Sequence, residues 1–170
     1  MNKAKRKEGS AEVGDEPIHL ATLDWQRGRW TGVPGKYSRE HVWVLPGGLT
    51  LKATDPIAPA AYRDRARLDP LNAFVATIAS GHLLAWLNVA FGHGAEPERY
   101  VDAPQGVLTQ EKPGALWVSE VILRPRATFK AGQNVSPEML AHYHELARQE
   151  CFIARSIRTK VLVQMRVASA

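Results

Sequence analysis

From Asp69 to Phe91 the chain reads DPLNAFVATIASGHLLAWLNVAF, and apolar residues lie on every face of that stretch rather than along one stripe. Such a pattern predicts a helix buried all round. Asp69 is suited to cap it, its carboxylate accepting from an otherwise unpaired backbone N–H. Pro70 fits the first helical position, where its missing N–H costs nothing. No Asp, Glu, Lys or Arg then appears until Glu96. Gly81 and His82 interrupt the middle, and a helical Gly costs about 1 kcal/mol relative to Ala. Something other than helix stability put Gly81 there.

Elsewhere the pattern is strand-like. His19–Trp25 alternates weakly, with Arg27-Gly28-Arg29 as a turn. Glu40–Leu45 and Leu49–Lys52 flank Pro46-Gly47-Gly48, which predicts a β-hairpin. The stretch from Thr54 to Leu68 carries two prolines and reads as a loop. Arg99–Asp102 with Gly106–Thr109, and then Ala115–Phe129, read as an antiparallel pair. Ser136-Pro137-Glu138 has a cap, a first-turn Pro and a first-turn acid, and opens a second helix to about Glu150. Thr159–Val167 is β-branched enough to be the last strand. Together these elements predict an α+β domain over residues 18–170, an antiparallel sheet with a long buried central helix.

Composition changes this picture little. Of 170 residues 45% are apolar and 23% charged, which suits one core. The net charge is +5, but four of the 22 basic residues fall within the first seven positions. Residues 1–17 therefore read as a disordered basic tail, and no nucleic-acid partner is expected from the scattered remainder. Ala73–Phe91 is about long enough for a membrane span. Thr77, Ser80, Gly81, His82 and Asn88 and the flanking strand patterns favour a buried helix instead, so no membrane is expected. With no signal-peptide pattern and one cysteine, Cys151, a cytoplasmic protein without a disulfide is expected.

Candidate chemistry is sparse. Cys151 follows the second helix near Arg148, Arg155 and Arg158, cations that favour a thiolate; the plain alternative is a small buried hydrophobe. His82 reads as a core histidine. His142 and His144 are two apart on a helix and point to different faces, which speaks against a metal pair. No metal or cofactor is expected.

Several segments together resemble the OsmC family, which includes organic hydroperoxide reductases. They are Tyr37-Ser38-Arg39-Glu40-His41, Gly47-Gly48, Asp69-Pro70, Ala79-Ser80-Gly81-His82-Leu83-Leu84, Val101-Asp102 with Gly106-Val107, Val121–Arg126, and Glu150-Cys151-Phe152-Ile153-Ala154. They occur in family order from Tyr37 to Val163. The resemblance implies an intertwined homodimer around the central helix. It also implies a cycle in which a helix cysteine, held as thiolate by an Arg and assisted by a Glu, attacks the peroxide; a second cysteine then closes a disulfide.

Carried over by position, the Arg is Arg39 and the second cysteine is Cys151. The peroxidatic cysteine falls on Gly81 and the glutamate on Leu71. A histidine usual three residues before the second cysteine is Arg148 here. With two reacting groups absent together, the two-cysteine cycle is not expected. The leading expectation is an OsmC-like protein that keeps a pocket for a small anionic, apolar ligand lined by Arg39, Gly81, His82, Leu71, Phe74 and Trp86. The alternative is a one-cysteine peroxidase that reduces hydroperoxides through Cys151 with Arg39. Hydrolysis through His82 and Arg39 ranks last, because no paired nucleophile accompanies them.

Overall fold

The computed structural model describes residues 20–26, 38–55 and 66–165. The expected tail, the Arg27–Arg29 turn and most of the Thr54–Leu68 loop lie outside these residues. The chain divides into two compact units, Met1–Ala53 and Thr54–Ala170.

In the first unit, β1 (Thr22–Asp24), β2 (His41–Val44) and β3 (Thr50–Ala53) form an antiparallel sheet in that order. A 3-10 turn at Pro46–Gly48 joins β2 to β3. Gly47 and Gly48 both have φ of 84°, the left-handed region that glycine enters without a Cβ penalty. This is the hairpin the Gly-Gly pair predicts.

The second unit is built on α1 (Pro70–Gly92), followed by β4 (Pro97–Val101), β5 (Gln105–Lys112), β6 (Ala115–Leu123), β7 (Arg126–Phe129), α2 (Pro137–Glu150), the short α3 (Phe152–Arg155) and β8 (Lys160–Val163). Asp69 caps α1 as expected: its Oδ1 accepts from the Leu71 N–H at 2.7 Å. Ser136 does the same for α2, accepting from the Met139 N–H at 3.2 Å.

Three expectations are corrected. The run from Ala115 to Phe129 is two strands in two sheets: β6 pairs with β5, and β7 pairs with β4. The chain breaks at Pro125, which cannot donate to a ladder, and the preceding Arg124 N–H is taken by Asp102 Oδ1 at 2.7 Å. The second correction concerns sheet type. β8 joins β6 in parallel, so that sheet is mixed rather than antiparallel. The return path through α2 and α3 is the helical crossover that parallel pairing requires.

Third, α1 is not buried all round within this chain. Ile78, Gly81, His82, Ala85, Trp86, Val89 and Ala90 are buried. Asn72, Ala76, Ser80, Leu84, Asn88 and Phe91 follow one exposed line down the opposite side. By length and composition α1 could cross a membrane, yet its buried face packs against α2 and α3 as the core helix of a globular domain does. The core has two clusters. One gathers Trp86, Val89, Tyr143 and Ala147, and the other Ile78, Val121 and Leu123.

Candidate functional site

Gly81 lies where α1 meets α3. A Cβ placed on it would sit 2.9 Å from Ile153 Cγ1, 3.1 Å from Ile153 Cβ and 3.2 Å from Cys151 Sγ. The missing side chain is therefore the condition for close packing, with Ile153 filling the space a larger residue 81 would take. Beside it runs an open groove of about 410 Å³, lined by Ala76, Thr77, Ser80, Leu84, Phe152 and Ile153 as well as Gly81.

The cysteine expected as a site residue is brought to Gly81. Cys151 is 1% exposed, and its Sγ accepts weakly from the Ala154 N–H at 3.5 Å. A disulfide needs sulfurs about 2.05 Å apart and Cβ atoms about 3.8 Å apart. A thiol 3.2 Å from a residue-81 Cβ is in that range, within reach of a disulfide with a cysteine placed at that position.

Within the second unit the other candidates separate. His82 and Trp86 are four apart on α1 and face the core rather than the groove, and Phe74 packs against Ile78, Val121 and Leu123. Leu71 is half-buried in the first turn of α1. Arg39 belongs to the first unit, in an open hollow of about 400 Å³ with Leu23, Trp25 and His41. Local geometry holds its backbone. The Trp43 indole N–H donates to His41 Nε2 at 3.0 Å, leaving His41 Nδ1–H to donate to the Arg39 carbonyl at 3.0 Å.

His82 has a partner that the sequence did not reveal. Its Nε2 is 2.9 Å from His144 Nδ1, and the two rings are nearly parallel with centroids 5.3 Å apart. Burial pushes His82 down to about 4, and burial together with the neighbouring His82 pushes His144 down to about 3. Both are thus neutral near pH 7. The pair touches an aromatic cluster, with Trp86 packed on His144, Tyr100 and Phe129. His82 Nδ1, Trp86 Nε1, Tyr100 Oη and Asp102 Oδ2 are buried without a hydrogen-bond partner among the described residues. Burial first, and Asp102 second, raise the Tyr100 hydroxyl well above its ordinary range. Burial likewise raises Asp102, against the opposing pull of the Arg124 and Ala103 N–H groups.

The sequence separates His82 and His144 by 62 positions, and no local pattern joins them. The available signal is that His144 shares the α2 stripe of Leu140, Tyr143 and Ala147, which places it on the buried side while His142 is exposed. Among the described residues no group of three or more His, Cys, Asp or Glu could hold a metal.

No protein-family model and no curated protein matches the chain. Solved structures do. An OsmC-like protein of unknown function from Vibrio cholerae is 32% identical, with a TM-score of 0.82 over 89% of this chain and 100% of its own. An OsmC-like protein from Mycoplasma pneumoniae has a TM-score of 0.68 at 11% identity, covering 90% and 98%. The organic hydroperoxide resistance protein OhrB of Bacillus subtilis has a TM-score of 0.62 at 16% identity, covering 87% and 97%. These last two share the fold; the first shares sequence across the whole of its length. With the motifs of Tyr37–Val163 in register and that match, the chain belongs to the OsmC-like family.

Proposed function

We propose that this chain is a member of the peroxide-stress family that has lost two-cysteine peroxidase chemistry and keeps a pocket for a small ligand with an apolar body and an anionic head. The observation that carries the proposal is at Gly81. Attack on an O–O bond needs a thiolate. Residue 81 has no side chain, and the volume of one is taken up by Ile153 and Cys151. Leu71, where the assisting carboxylate would be, adds apolar surface and no proton acceptor. The one-cysteine route through Cys151 lacks support, since a thiol 1% exposed offers a peroxide no approach.

The groove beside Gly81 supplies an apolar surface for the ligand's body; Arg39 is the residue that the family resemblance gives for its anionic head. The protein works in this reading as a cytoplasmic homodimer. Purified full-length protein is tested with tert-butyl hydroperoxide and dihydrolipoamide, beside Cys151→Ala. No turnover by either is expected, together with weaker binding of small carboxylic acids by Arg39→Ala. Turnover that disappears in Cys151→Ala would overturn the proposal in favour of a one-cysteine peroxidase.

A further inference from the structure

The second unit carries a cleft apart from the Gly81 groove. Two adjoining hollows, of about 440 and 430 Å³, share Arg148, Lys160 and Val161. The first is lined also by His144 and Glu145 and has apolar walls from Ala141, Leu162 and Met165; the second adds Arg155. Three cations thus face one lining carboxylate. Glu145 is already engaged, accepting from Arg148 Nε at 3.0 Å, Arg148 Nη2 at 2.7 Å and Gln149 Nε2 at 2.8 Å. Lys160 lies 3.8 Å from Glu120, a loose pairing with both side chains exposed.

His144 gives this cleft a floor. It is 3% exposed, and with Nδ1 turned to His82 its remaining nitrogen, Nε2, has no partner among the described residues. A single hydrogen lies between His82 Nε2 and His144 Nδ1. Were His144 to supply it, the buried His82 Nδ1 would carry an N–H with nothing to receive it. A buried unpartnered N–H is the costlier arrangement; His82 Nδ1 is fully shielded and His144 Nε2 is not, so His82 donates and His144 keeps its proton on Nε2. The cleft therefore meets a neutral N–H donor at its floor and cations at its rim.

We propose that this cleft binds a small carboxylate with an apolar tail. The carboxylate accepts from His144 Nε2–H and lies against Lys160 and Arg148, and the tail packs on Ala141, Leu162 and Met165. Arg148 stands where the family's motif has a histidine, so the rim charge is a feature of this chain. The site is independent of Arg39 and of whether peroxidase chemistry has been lost.

Octanoate is the probe, titrated into the full chain by calorimetry with imidazole ¹⁵N–¹H correlations recorded in parallel. Saturable binding is expected, with the His144 Nε2–H correlation moving as octanoate is added and with octanol binding far more weakly. Arg148 and Lys160 are exposed, so Arg148→Gln with Lys160→Gln leaves the fold intact and weakens octanoate by about tenfold or more. Arg39→Ala leaves the octanoate-induced movement of the His144 Nε2–H correlation unchanged, which separates the site from the pocket proposed above. Absence of octanoate binding, equal binding by the double variant, equal binding of octanol, or a His144 proton found on Nδ1 would each overturn the proposal.

Discussion

At Gly81 a glycine inside a helix is explained by what comes within reach of it. Ile153 Cγ1 could swing away from a new side chain, but Ile153 Cβ at 3.1 Å moves only with its backbone. A larger residue 81 therefore requires α3 to shift by a few tenths of an ångström. The same proximity makes a testable case for ancestry. Gly81→Cys is expected to form a disulfide with Cys151 on oxidation, read as the loss of both titratable thiols under denaturing conditions and their return with dithiothreitol. Two thiols that remain free after oxidation would mean that Cys151 does not occupy the partner position. The motif around Gly81 was legible in the sequence, and so was the glycine at its centre. That Ile153 closes the space was not, because it lies 72 positions from Gly81 and the contact between α1 and α3 is set by the packing of the whole unit.

Along α1 the sequence and the structure agree on where the helix starts and differ on what covers it. Asp69 and Pro70 act on neighbours two and three residues on, so their effect is local and readable. Asp69→Ala removes the acceptor that Leu71 N–H uses at 2.7 Å and is expected to cost about 1 kcal/mol, measured as a drop in the urea midpoint with an unchanged slope. The uncharged face through Asn72, Ser80, Leu84 and Phe91 is a different matter, since Leu84 and Phe91 are 58% and 57% exposed. A line of exposed apolar side chains on a core helix marks a contact surface, in keeping with the proposed homodimer. Light scattering is expected to give twice the 18.8 kDa chain mass, and Leu84→Asp to reduce it to one chain; a wild-type monomer would remove the homodimer from the proposal.

For the molecule as a whole, the buried histidine pair couples stability to pH. His82 and His144 fall to about 4 and about 3 from an ordinary 6.5, so between those values the unfolded chain binds more protons than the folded one. Stability then rises with pH through that window and is lost as pH falls below about 6.5. Above it the pair contributes no further change. Urea midpoints at pH 7.5, 6 and 5 are expected to fall in that order, and His144→Gln to flatten the decline. A midpoint equal at pH 7.5 and 5 would show that the pair does not stay neutral in the fold.

The sequence by itself determined the α+β elements, the Gly47-Gly48 hairpin, both helix caps and the family. Each depends on residue type at short spacing or on motifs kept in order. Only the tertiary structure decided that β8 returns in parallel to β6, that Pro125 divides one apolar run between two sheets, and that His82 meets His144. It also decided that the absence of a side chain at Gly81 serves close packing with α3. Those outcomes depend on which distant surfaces are brought together when the core closes, and spacing along the chain carries no record of that.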